Sequence, residues 1–72
     1  MKEHKEKIVR ALETLLLETY LNQYVNRLIY THDAVSDMEY CTVLYNDGNH
    51  IKINVSGDGD IALITDVINK IK

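Results

Sequence analysis

The chain lacks most of the devices that stabilise small proteins. It has no proline, tryptophan or phenylalanine, three glycines, and one cysteine, Cys41, among its 72 residues. A single cysteine excludes an intrachain disulfide, and with three histidines scattered along the chain it does not form the closely spaced ligand pairs of a four-ligand zinc site. A chain of this length buries only about 60% of its unfolded surface. Stability must therefore come from a self-sufficient core or from association with a second copy.

Long apolar runs are also lacking. No stretch approaches the roughly 18 apolar residues that a transmembrane helix needs, and the charged start "MKEHKEK" has no signal-peptide apolar segment behind it. We therefore expect a cytoplasmic protein that does not enter a membrane. Linkers and internal repeats are missing as well, so residues 1–72 are predicted to form a single domain.

Positive charge is scarce in the middle of the chain. Residues 31–66 contain seven acidic residues and one basic residue, Lys52, in a chain whose total formal charge is -3. Direct nucleic-acid binders normally carry a basic patch, which this sequence lacks. An acidic surface suits a basic partner instead, including one that itself binds nucleic acid. The alternative is that the acids stand in turns and at helix starts for local reasons and serve solubility alone.

A helix is predicted near the N-terminus, from Lys2 to about Gln23. Residues on one helical face recur there at i, i+4, i+7 and i+8 spacing: Ile8, Leu12, Leu15, Leu16 and Thr19. A second stripe on a different face consists of Leu17, Leu21, Tyr24 and Leu28. One intramolecular core needs only one apolar stripe. The second stripe therefore indicates either that the helix is long and uses this face as a homodimer interface, or that the helix ends near Asn22 and a strand follows. The β-branched and aromatic residues of "YVNRLIY", residues 24–30, favour an early end and a first strand there.

The clearest local signal is a hairpin within residues 39–55. Apolar and polar residues alternate in "HIKINV", as in a half-buried strand, and "YNDGN" supplies residues that tolerate the positive φ of a tight turn. A two-residue turn would place Leu44 opposite Ile51, whereas a three-residue loop with a bulge at Gly48 would place Val43 there. We favour the bulged form because Val43 buries better, which leaves Tyr40 and Leu44 outward.

A second helix is predicted over residues 60–71. Its apolar residues recur at helical spacing and are Ile61, Ile64, Val67, Ile68 and Ile71. The predicted fold is therefore α+β, with an N-terminal helix, a three-stranded antiparallel sheet with a tight hairpin, and a C-terminal helix (α-β-β-β-α). Both helices are expected to pack on one face of the sheet.

The segment "NVSGDGDIALIT", residues 54–65, matches three patterns. Its "GDGDIA" fits a dinucleotide-binding G-x-G-x-x-A, but Asp58 and Asp60 would repel the pyrophosphate, and no second parallel strand follows. In the register of an EF-hand loop, Thr65 stands where the bidentate acid is needed. A structural interpretation accounts for each residue: Val55 ends a strand, the glycines permit a reversal, and Asp58 or Asp60 caps the second helix. The sequence therefore predicts neither a cofactor nor a metal site.

Catalytic pairs are equally hard to find. Cys41 lies in the middle of a predicted strand with no local base. His32 could act as a general base if the Asp33 carboxylate fixed the tautomer and orientation of its imidazole ring. Side chains of adjacent residues rarely orient each other in this way. A turn between strands explains both residues, so we predict no catalytic residue and a protein that is not an enzyme.

From Tyr45 onward, "YNDGNHIKINVSGDGDIALITDVINKI" resembles the C-terminal half of small orphan proteins carried by phages and prophages. In those proteins an asparagine–glycine hairpin leads through an N-V-x-G-D turn into an apolar helix. The resemblance covers roughly the last third of the chain. It implies short, often acidic, single-domain proteins that act in the bacterial cytoplasm, among which inhibitors of host defence, including anti-CRISPR proteins, are frequent. It assigns no functional residue.

The leading hypothesis is a non-enzymatic inhibitor that lays its acidic middle on a basic groove of a host protein that handles nucleic acid, such as a CRISPR-Cas effector. The predicted contacts are six acids and two aromatic anchors: Asp33, Asp37, Glu39, Asp47, Asp58, Asp60, Tyr40 and Tyr45. The alternative is a structural or regulatory homodimer without such a target, joined through the second helical stripe. Neither hypothesis includes direct binding of nucleic acid or of a membrane.

Overall fold

The structure is a computed structural model that describes residues 2–71. Its elements are helix α1 (Lys2–Leu17), a 3₁₀ turn (Tyr20–Gln23), strands β1 (Val25–Asp33), β2 (Met38–Tyr45) and β3 (His50–Asn54), and helix α2 (Asp60–Ile71). This order confirms the predicted α-β-β-β-α arrangement of an α+β fold. No helix within the described residues is long and apolar enough to cross a membrane.

Helix α1 is shorter than its periodicity predicts and faces the core through a different line of residues. Val9, Leu12 and Leu16 are buried, whereas Leu15 is 62% exposed, so the prediction that Leu15 joins the core face is wrong. The helix ends at Leu17 because Thr19 starts a new turn: its hydroxyl accepts a hydrogen bond from the Leu21 N–H at 3.1 Å. A side chain that accepts from the backbone in this way is a capping residue.

The second helical stripe does not form one surface. Leu21 lies in the 3₁₀ turn and packs against the core, and Tyr24 follows it and is 57% exposed. Leu28 lies in β1, which confirms a strand there, and is buried in the chain's own core. Leu17, Leu21, Tyr24 and Leu28 therefore cannot form the predicted homodimer interface together, because the helix ends before three of them and Leu28 is inaccessible.

Strand β2 lies at the centre of the antiparallel sheet, whose strand order is β1-β2-β3. Val43 stands opposite Ile51 and Cys41 opposite Ile53, which confirms the bulged register of the hairpin. The loop closes with the Tyr45 N–H donating to the Asn49 carbonyl at 2.8 Å. Gly48 takes a φ of +93°, a backbone conformation that side chains rarely adopt.

A single hydrophobic cluster joins both helices to one face of the sheet. Helix α2 contributes Leu63 and Val67 to it, four residues apart on one face, while Ile61 is 75% exposed. The predicted core role of Ile61 is therefore wrong, and Leu63 replaces it. Ile64, Ile68 and Ile71 are partly buried at the margin of the core.

The turn between β3 and α2 serves the structural role that the sequence predicts, with one difference. Val55 directly follows the last residue of β3, and its N–H donates to the Glu39 carbonyl at 2.9 Å. Gly59 occupies the N-cap position of α2, because its carbonyl accepts the N–H of Leu63 at 2.9 Å. Within residues 2–71 neither the Asp58 nor the Asp60 carboxylate accepts a backbone N–H, so neither is the capping side chain. Both carboxylates are instead part of a larger group of charges.

Candidate functional site

Acidic residues from three separate segments meet at one end of the molecule. A surface depression of about 370 Å³ is lined by Asp37, Glu39, Asp58 and Asp60, together with His4, Lys5, Ser56 and Gly59. Asp33 lies in the same turn as Asp37, and Asp66 lies beside Asp58. We call the six acids the acidic end: Asp33, Asp37, Glu39, Asp58, Asp60 and Asp66. Lys5 is the one lysine that lines this depression, so the acidic end carries a strong negative charge.

The turn between β1 and β2 presents Asp33 and Asp37. The Asp33 carboxylate accepts the Val35 N–H at 2.9 Å, and this bond, with further bonds from Ser36, lowers the pKa of Asp33. Asp37 has a φ of 59° and donates its N–H to the Asp33 carbonyl at 2.7 Å. Its carboxylate meets the His32 imidazole at 2.6 Å. The turn is therefore held by its own side chains and fixes both carboxylates in place.

Glu39 is a largely buried member of the acidic end. Its carboxylate lies 2.8 Å from the Lys5 ammonium, with the two side chains 12% and 14% exposed, and it accepts the Tyr30 hydroxyl at 2.5 Å. The Lys5 hydrogen bond, followed by that from Tyr30, lowers the pKa of Glu39, while burial and then Glu39 itself raise the pKa of Tyr30. Lys5 also donates to the Val55 carbonyl at 3.0 Å, which ties α1 to the end of β3. Glu39 therefore holds the fold together and has little charge left to offer a partner.

Asp58 and Asp66 place two carboxylates side by side. Burial, followed by the neighbouring Asp66 carboxyl group, raises the pKa of Asp58 above its ordinary value. The Oδ2 atom of Asp58 is shielded from solvent and has no hydrogen-bond partner within the described residues. When both carboxyl groups are deprotonated, two negative charges lie side by side and repel each other. A proton shared by the pair removes one charge and supplies a hydrogen-bond donor. A cationic group placed over the pair would relieve the same repulsion.

Asp60 stands at the start of α2, where the helix dipole favours negative charge. Its carboxylate lies 3.0 Å from His4 of α1, and the two side chains are 56% and 60% exposed. The contact joins the N-terminal ends of the two helices. Asp60 remains accessible to a partner from the solvent side.

The three other predicted contacts lie elsewhere. Asp47 belongs to the β2–β3 turn, at the far end of β2 from Glu39, and lines a separate hollow with Tyr45. Tyr40 points to the open face of the sheet, where the Lys52 ammonium lies 4.4 Å from the centre of its ring. The structure therefore brings together five of the six predicted acids and neither of the predicted aromatic anchors.

The residues considered for catalysis are held in structural contacts. Cys41 is fully buried, and burial raises the pKa of its thiol to about 11, which suppresses the reactive thiolate. His32 contacts Asp37 and not the adjacent Asp33. Within residues 2–71 no group of three histidine, cysteine or acidic side chains is arranged to hold a metal ion.

Sequence reasoning missed Lys5 and Tyr30, although both touch Glu39. Lys5 carries a signal, since it precedes Val9, Leu12 and Leu16 at i, i+4, i+7 and i+11 and so lies on the core face of α1. A charged residue on a core face needs a buried partner.

Compared with known proteins, the chain matches no family model, no curated protein and no solved structure.

Proposed function

We propose that the protein is a non-enzymatic binding module, an inhibitor of phage type that covers a basic surface of a bacterial host protein. The target class is a protein that handles nucleic acid in defence, such as a CRISPR-Cas effector. Binding blocks the groove in which the target protein holds the phosphate backbone of its nucleic acid. The resemblance of residues from Tyr45 onward to small phage proteins supports this class of target.

The convergence of acids at the acidic end carries the proposal. Asp37 from the β1–β2 turn, Asp58 before α2 and Asp60 at its start line one depression, in which Lys5 is the one lysine. Asp33 lies in the same turn as Asp37. Lysine and arginine side chains that normally bind phosphates are complementary to such a surface. Asp47, Tyr40 and Tyr45 are not part of this contact.

The repulsion between Asp58 and Asp66 adds a physical reason for binding. In the free protein the two carboxylates lie together and Asp58 Oδ2 has no donor among the described residues. An arginine or lysine of a partner placed in the depression would offset the combined charge of Asp58 and Asp66. The interaction gains energy that is not available to the free protein, because the pair is unfavourable before the partner arrives.

Affinity capture tests the proposal. Tagged protein is incubated with lysate of a bacterium that carries CRISPR and restriction components, at low and at high salt, and bound proteins are identified by mass spectrometry. We expect a nucleic-acid-binding protein that is retained at low salt and lost at high salt, since contacts between exposed charges are screened. Adding the nucleic acid that the captured protein binds should displace that protein from the tagged protein.

A variant separates the acidic end from charge in general. Asp37→Asn/Asp60→Asn removes two charges from the depression while keeping oxygen acceptors for neighbouring groups, and it should lose the captured protein. Asp47→Asn changes charge at the far end and should retain it. Capture that is equally strong with all three proteins, or that persists unchanged at high salt, contradicts the proposal.

A further inference from the structure

The outer surface of the helix layer exposes a continuous apolar groove. Helices α1 and α2 lie on the same face of the sheet, with their N-terminal ends joined by His4 and Asp60. The groove between them has a volume of about 240 Å³ and is lined by Ile8, Ala11, Leu12, Leu15, Ile64 and Ile68. Leu15 is 62% exposed and Ile61, at the start of α2, is 75% exposed. Leu15 belongs to the lining of the groove, whereas Ile61 lies outside it. An apolar groove with a large exposed side chain in its lining is typical of an interaction surface.

We propose that this surface, the helix-layer surface, binds a second copy of the chain. The two α1 helices then lie antiparallel across a two-fold axis at the level of residue 13. The first reason is shape. Leu15 is largely exposed on α1, and Ala11, one turn earlier in the lining of the same groove, carries only a methyl group and so leaves room for a larger side chain. In the antiparallel pair each Leu15 enters the space at Ala11 of the other copy.

The second reason is charge. Lys7 lies in the first half of α1 and Glu18 directly follows its last residue, Leu17; both are exposed. Eleven residues are close to three helical turns, so the two charges lie near the two ends of the apolar surface on one side of it. In an antiparallel pair Lys7 of one copy meets Glu18 of the other, and the contact occurs twice. A parallel pair would place like charges opposite each other. The surface is therefore complementary to itself in one orientation.

The third reason is size. A chain of 72 residues without a disulfide gains stability from any surface that it buries. Pairing through the helix layer would place four helices between two sheets and remove Leu15 from water. The acidic end lies at the N-terminal ends of the helices, so two such ends remain exposed on opposite sides of the dimer. This inference does not rest on the proposed function.

Sedimentation equilibrium from about 1 to about 200 micromolar tests the dimer, a range that covers ordinary affinities. The mass should rise from 8.3 kDa towards twice that value. Leu15→Glu should weaken association by at least about 100-fold, because it buries a carboxylate twice per dimer. Val35→Glu is the matched control: Val35 is 97% exposed in the β1–β2 turn, and the change should leave the mass unaltered. A monomer at every concentration, or equal behaviour of the two variants, would overturn the proposal.

A charge exchange tests the orientation. Lys7→Glu and Glu18→Lys should each weaken the dimer several-fold, because each creates two repulsive contacts. The double variant restores opposite charges at both ends and should recover the wild-type dissociation constant. Circular dichroism checks that each variant folds. A double variant that is no tighter than either single variant contradicts the antiparallel pair.

Discussion

The ammonium group of Lys5 lies 2.8 Å from the carboxylate of Glu39, and both side chains are largely buried. The pair joins α1 to β2 beneath the acidic end. The Tyr30 hydroxyl adds a hydrogen bond to the same carboxylate from β1. Three elements thus meet at one buried charge, and the more exposed acids are positioned around it.

Replacing Lys5 by methionine should destabilise the fold by about 2 kcal/mol. The substitution leaves the Glu39 carboxylate buried without its counter-charge, a change that costs several kcal/mol when burial is complete and less here because water reaches both side chains. Urea denaturation measures the difference. Arg10→Met is the control, since Arg10 is 77% exposed and lies 3.9 Å from Glu6, and it should change stability by less than about 0.5 kcal/mol. Equal effects of the two variants would show that the Lys5 pair has no special role.

Asp58→Asn should stabilise the protein at neutral pH. The pKa of Asp58 is higher in the folded protein than its ordinary value of 3.8, so the folded state holds the proton more tightly than the unfolded chain. The stability that this carboxyl group contributes is therefore fully present below about pH 3.8, the ordinary pKa, and is lost as the pH rises through the raised pKa of the folded protein. The variant removes the repulsion, and its advantage over wild type should disappear below about pH 4. Denaturation at a series of pH values measures this.

Asp66→Asn provides the check on that mechanism. Either single variant removes the like-charge contact, so the two stabilising effects should not add in the double variant. Additive effects would mean that Asp58 and Asp66 do not interact.

Gly48→Ala should destabilise the hairpin by about 1 kcal/mol. The φ of +93° at Gly48 is strained for any residue with a Cβ, even though no atom lies within 4 Å of the added methyl group. Gly57→Ala is the matched control, because Gly57 is equally open and has no such φ. Thermal denaturation of the two variants should show a lower midpoint for the first alone. An unchanged midpoint in Gly48→Ala contradicts the bulged loop.

The Cys41 thiol should be unreactive in the folded protein. It is fully buried, and burial raises its pKa from 9.0 to about 11, which by itself lowers the thiolate fraction about 100-fold. A colorimetric disulfide reagent should therefore label the native protein far more slowly than the protein in urea. Rapid labelling under native conditions would place Cys41 at the surface.

Local sequence signals predicted most of the fold. The alternation in "HIKINV" and the turn residues before it located the hairpin and its bulged register, because a one-residue slip would have moved Val43 and Cys41 out of the core. The bounds of α2 were equally visible, since an acid starts it and isoleucines recur within it. The end of α1 was not, because Thr19 continues the helical pattern in sequence and yet caps a new turn in the structure.

The acidic end was only partly predictable. The excess of acids between residues 31 and 66 is visible in the sequence. Which of these acids lie close together depends on how the strands pair. Strand pairing places Glu39 beside Val55 and so brings the β1–β2 turn to the start of α2, while Asp47 follows the other end of β2. Acids spread over one sequence region therefore divide between two ends of the molecule. The role of Glu39 was hidden for the same reason, since Lys5 lies 34 residues away in sequence.

The salt dependence of the dissociation constant for the captured protein tests the central claim most directly. Wild type, Asp60→Asn and Asp47→Asn are compared by titration at several salt concentrations, with the same change of net charge in both variants. Binding by wild type and Asp47→Asn should weaken steeply and equally as salt rises. Asp60→Asn should bind about two- to five-fold more weakly at low salt and show a shallower slope, as expected for one lost contact at a charged rim. A flat salt dependence in wild type, or an effect of Asp47→Asn as large as that of Asp60→Asn, would contradict binding through the acidic end.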